Sequence, residues 1–68
     1  MFAIYEHPAD YPDAFVMRRW VIDNGKAQPT TDMQTGPTLE AVRALVPVGY
    51  VCIPRHADDD PVIVETWI

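Results

Sequence analysis

The stretch FVMRRWVIDNG, residues 15 to 25, decides how the rest of the chain is read. Phe15 to Ile22 mixes aromatic and β-branched side chains, which fit a pleated and partly buried surface. The run, taken from Ala14 to Asp23, is therefore expected to be the longest strand, and Asp23-Asn24-Gly25 stops it with a tight-turn signal. Side chains alternate across a strand. Phe15, Met17, Arg19 and Val21 share one face, and Val16, Arg18, Trp20 and Ile22 share the other. Both faces carry large apolar groups, so both need cover.

Upstream, MFAIYE at residues 1 to 6 is rich in strand formers and ends at His7-Pro8, where proline cannot donate to a ladder and starts a turn. Downstream, residues 24 to 37 hold two Gly and two Pro among Thr, Gln and Asp, whose side chains compete with regular backbone pairing. They read as loop, with at most one short added strand at Lys26 to Gln28. Gly36-Pro37-Thr38 opens the single helix, LEAVRALV, with Thr38 or Gly36 as cap, Glu40 in the first turn and Pro47 as its stop. Leu39, Val42, Leu45 and Val46 fall on one helix face, and Glu40 and Arg43 are placed to pair on the other. GYVCIP (49 to 54) and PVIVETWI (61 to 68) supply two further strands. The expected fold is one α+β domain over residues 1–68, order ββαββ, with a four-stranded, mostly antiparallel sheet and one short helix on one face.

The last strand echoes the second. HPADYP (7 to 12) precedes FVMRRWV, and HADDDP (56 to 61) precedes VIVETWI, so each histidine lies five residues before a proline. Aligning the two places Val62, Val64, Thr66 and Ile68 with the Phe15 face, and Ile63, Glu65 and Trp67 with Val16, Arg18, Trp20 and Ile22. A single short helix covers only one of these faces. The other, with two tryptophans and several aliphatic neighbours, reads as an association surface for a second copy or a protein partner, with Arg18 and Glu65 as a cross-strand or cross-subunit ion pair. A third use of such a surface is to hold a small hydrophobic ligand in a dimer cleft.

Composition sets the outer limits. The 68 residues are 49% hydrophobic, which suits a folded chain, and ten acids against five bases give a net charge of −5 and a pI near 4.6. That balance disfavours binding to phosphate backbones and to anionic membrane surfaces. The longest apolar stretch, 41 to 54, is interrupted by Arg43, two prolines and Gly49 and is too short to span a bilayer. No basic segment leading into an apolar one marks secretion, and a cytoplasmic location is expected. With Cys52 as the only cysteine, no internal disulfide can form.

Catalytic chemistry finds little support. The chain has no serine, Cys52 sits within an apolar strand where a buried thiol is expected, and the three glycines stand singly rather than as a phosphate cradle. A non-enzymatic role without cofactor is the expectation. The alternative is a divalent metal site, with or without metal-assisted hydrolysis, assembled from His7, Asp10 and Asp13 in one turn and His56, Asp58, Asp59 and Asp60 in the other. It requires both turns at the same end of the sheet.

Overall fold

A computed structural model describes residues 1–55 and 61–68. In chain order the elements are β1 (Phe2–Glu6), β2 (Phe15–Asp23), β3 (Lys26–Gly36), α1 (Leu39–Arg43), β4 (Cys52–Pro54) and β5 (Ile63–Trp67). They build one five-stranded sheet in the order β3-β2-β1-β5-β4, every neighbouring pair antiparallel. The α+β class and the antiparallel sheet are as expected. The number of strands is not.

The fifth strand is the segment expected to be loop. Asn24 and Gly25 have φ of 51° and 75°, and Asp23 pairs with Lys26, which makes a two-residue hairpin turn whose twist sends the chain back along β2. Eleven residues, KAQPTTDMQTG, then pair with β2 as an edge strand that is mostly exposed. Its register slips between Arg18 and Trp20, where three residues (30 to 32) face Arg19 alone. Thr30 Oγ1 fills that gap by donating to the Arg19 carbonyl at 2.8 Å. A Cβ added at Gly25 would meet nothing within 4 Å, so only its backbone conformation matters. Gly25→Ala is expected to lower stability by about 1 kcal/mol through φ strain alone, while Gly25→Asn costs less, as read from chemical unfolding.

From the β3 edge the chain crosses one sheet face through α1 to reach β4 at the opposite edge. Thr38 caps the helix, its Oγ1 accepting from the Ala41 N–H at 3.1 Å. The helix is shorter than its apolar spacing suggests, ending at Arg43 and unwinding through tighter turns at Leu45 and Val46. Leu39, Val42 and Val46 reach the core, but Leu45 is exposed. The core is the layer between α1 and the sheet: Phe2, Ile4, Met17 and Val42, with Phe15, Tyr50, Val64 and Trp67 packed around them. Phe2 and Tyr50 meet edge to face at 5.2 Å.

The two sequence echoes are both antiparallel pairs, β1 with β2 and β4 with β5, set side by side through β1 and β5. Because β5 opposes both β1 and β4, those two strands run in the same direction. Their C-terminal ends therefore lie at one end of the sheet.

Candidate functional site

Among the described residues no helix lies over the face of the sheet away from α1. The register assigns to it Ala3 and Tyr5 of β1, Val16, Arg18, Trp20 and Ile22 of β2, Pro29, Met33 and Thr35 of β3, Ile53 of β4 and Ile63 and Thr66 of β5. Val51 and Ile68 bond reciprocally through their backbones at 3.0 and 2.6 Å and continue the same side. Among these residues Arg18 is the one charge. Ile22 is 66% exposed, Val51 65%, Ile68 55% and Ile53 43%, so the apolar surface at the two margins of the face is wet in the isolated chain. Trp20 is half-buried, and its Nε1 donates to the Tyr5 hydroxyl at 3.1 Å.

Five of the residues expected to share this surface do so: Val16, Arg18, Trp20, Ile22 and Ile63. Glu65 and Trp67 do not. The β1–β5 register shifts between Ile4 and Tyr5, so that Tyr5 faces Ile63 while Ile4 faces Glu65, and Val64 is an additional residue on β5. Such a bulge inverts the alternation of everything beyond it. Glu65 and Trp67 therefore turn toward α1, and Thr66 turns to the open face. The same inversion takes Thr66 and Ile68 away from the Phe15 side to which the sequence echo assigned them.

Beneath the helix these residues make a second feature. Glu65 is buried, accepts from Arg43 Nε at 3.0 Å and Arg43 Nη2 at 2.6 Å, and accepts from Trp67 Nε1 at 2.7 Å. A buried carboxylate requires such partners. The bond from Arg43, with further help from Trp67, holds the Glu65 carboxyl below its usual pKa. Cys52 stands opposite Trp67 in the ladder, and burial, followed by the charge of Glu65, pushes its thiol upward. A thiol shifted that way is less ionised and a poorer nucleophile. The expected partners are thus rearranged: Glu65 pairs with Arg43 rather than with Arg18, and Arg43 pairs with Glu65 rather than with Glu40. Arg18 Nη2 instead approaches the Met33 Sδ at 3.3 Å.

At the end of the open face where β1 turns into β2, residues 7 to 14 form an ordered wall. The His7 N–H donates to the Ala14 carbonyl, that of Tyr11 to the Pro8 carbonyl and that of Ala14 to the Tyr11 carbonyl, at 3.0, 2.9 and 3.2 Å. His7 adopts a positive φ of 47° and its ring meets Phe15 edge to face at 5.3 Å. Between this wall and the sheet lies a cleft of about 210 Å³ floored by Tyr5, Val16 and Arg18, bounded by Met33 and Val62, and walled by Pro8, Asp10 and Tyr11.

Of the metal-site candidates, His7, Asp10 and Asp13 are exposed on that wall, and His56, Asp58, Asp59 and Asp60 lie outside the described residues. Among the described residues no three His, Cys, Asp or Glu side chains come together as a metal site. Nor is any described helix long and apolar enough to cross a membrane.

The architecture defines a small α+β domain with one sheet face sealed by a helix and one left open. No protein family, curated protein or solved structure matches the chain.

Proposed function

We propose that the chain is a non-enzymatic association domain that pairs with a second copy of itself through the open sheet face. The observation that carries this reading is the composition of that face: aliphatic and aromatic residues on all five strands, with Arg18 the one charge. Ala3 and Val16 near its centre are buried, and its exposed apolar area lies at the margins, with Ile22 on one side and Val51, Ile53 and Ile68 on the other; exposed apolar clusters typically mark interfaces. Among the described residues no acid is paired within that face, and Asp10 stands on the wall at its hairpin end. Arg18 lies one strand from the β3 edge and is half-buried, with its Nη2 against the Met33 thioether.

The sheet edges favour face-to-face over edge-to-edge association. β3 carries Pro29, a bulge, Lys26 and Asp32, and β4 is three residues long and ends in Pro54. Each of these features blunts strand addition.

Sedimentation velocity over a wide concentration range is the test, with Ile53→Asp alongside the unaltered chain. Reversible dimer formation by the native sequence and a monomer for the variant are expected. Ile53 is 43% exposed and aspartate is a poor strand former, so the variant should lose about 1 kcal/mol of unfolding free energy and remain folded. A chain that remains monomeric at every concentration would contradict the reading.

A further inference from the structure

We propose that the cleft at the hairpin end of the open face binds a small monocarboxylate whose acid group is carried on a single ring or a branched hydrocarbon. This goes beyond self-association; Tyr5, Val16, Arg18 and Met33 belong to both surfaces, so binding is measured at a concentration where sedimentation shows the monomer.

Arg43 and Arg18 differ in what they hold. Arg43 has its carboxylate, Glu65, held by both Nε and Nη2. Among the described residues Arg18 has none: it is half-buried on an apolar face, and there it donates to the thioether of Met33 at 3.3 Å. A thioether is a weak acceptor, whereas the planar guanidinium fork matches a carboxylate in two parallel bonds. Asp10, the carboxylate that lines the same cleft, makes no ion pair with it. Arg18 is thus an anchoring cation at the floor of a depression whose other lining residues, Asp10 apart, are apolar or aromatic.

Size and charge narrow the occupant further. A cleft of about 210 Å³ exceeds the roughly 150 Å³ that accommodates a benzene ring but falls short of the roughly 300 to 1,000 Å³ typical of drug-sized ligands. One ring with its carboxylate is the matching volume. Tyr5, Val16, Pro8 and Val62 offer the ring a mostly apolar bed, and Tyr11 adds an aromatic edge to the wall. The negative charge of Asp10 at the wall disfavours a second anionic group, which selects a monoanion over a dicarboxylate. The backbone bonds across residues 7 to 14 fix that wall in place before anything binds, so little ordering entropy opposes the ligand.

The test is titration of the full chain with sodium benzoate, its neutral isostere benzamide, and sodium acetate, followed by amide chemical shifts. Saturable benzoate shifts centred on Tyr5, Val16, Arg18 and Met33 are expected, with benzamide and acetate each weaker by about tenfold or more, since one loses the charge-assisted bonds and the other the ring. Arg18→Gln should weaken benzoate by a similar factor while the Trp67 indole signal, on the opposite face, stays in place. Benzamide binding as well as benzoate, acetate matching benzoate, or an Arg18→Gln variant of unchanged affinity would each overturn the site. The benzoate–benzamide comparison needs no variant to fold. Sedimentation reports on the dimer separately, so failure of one proposal leaves the other standing.

Discussion

Replacing Ile4 by alanine is expected to cost about 3 to 4 kcal/mol, within the range for removing a fully buried branched side chain and leaving its cavity. Ile4 has no exposed surface and lies at the centre of the middle strand, beside Met17 on one neighbour and Glu65 on the other, in the cluster that holds Val42. A domain of this size has a total stability of roughly 3 to 10 kcal/mol, so the variant should sit close to its unfolding threshold. Ile4→Val, which keeps most of the volume, should cost about 1 kcal/mol. Urea unfolding with an unchanged slope measures both. If Ile4→Ala behaved like Ile4→Val, the helix-covered layer would not be the seat of stability.

The second large effect belongs to Glu65. Glu65→Ala removes an acceptor shared by Arg43 and Trp67, leaving an indole N–H without its partner beneath the helix and a guanidinium without its counter-charge. The expected loss is about 2 to 3 kcal/mol, the lower part of the range for breaking a buried pair, because the Arg43 side chain is 44% exposed and can rehydrate. A midpoint lowered by roughly 10 °C or more follows for a domain this small. The same contact predicts a pH dependence with a definite sign. Glu65 has a folded pKa below its unfolded value, the Arg43 hydrogen bond being the main cause, so its contribution is fully present above the unfolded carboxylate range. That contribution is lost as pH falls through the folded pKa. Thermal midpoints of the native chain should fall more steeply below about pH 4.5 than those of Glu65→Gln, which has no proton to bind there. Parallel acid profiles for the two would show that the carboxylate is not held as described.

These two residues also show what the sequence conveys. Ile4 is legible as core, because MFAIYE has the composition of a strand and a strand between two others must be apolar on its covered side. The α+β class, the helix start at Thr38 and the antiparallel hairpins follow from similar local signals. Glu65 is a different matter. Simple alternation from Pro61 to Ile68 places it with Trp20, and nothing in VIVETWI marks the extra residue that turns it toward Arg43. A bulge depends on how two strands meet, and one strand's sequence does not carry that. The β3 strand was hidden for another reason: as an exposed edge with Pro29 and a run of Thr and Gln, it lacks the apolar alternation by which strands are recognised. The Asn24-Gly25 pair signals a hairpin, which requires a returning strand, whereas the composition of residues 26 to 36 signals loop; the turn is the stronger determinant. For the open face, Val16, Arg18, Trp20 and Ile22 were readable as a set. The cleft was not, since its wall is a loop folded over a neighbouring strand.

The extra residue at Val64 gives the final strand two allegiances. Its first half contributes Ile63 to the solvent-side layer, and its second half sends a carboxylate and an indole inward to clamp the helix. Five residues thereby serve both sides of a sheet that has too few strands to dedicate one to each task. Deleting Val64 would restore plain alternation and still leave the carboxylate and indole facing the helix and Thr66 facing the open side, so the clamp depends on the pairing with Ile4 and Phe2 rather than on the length of the strand.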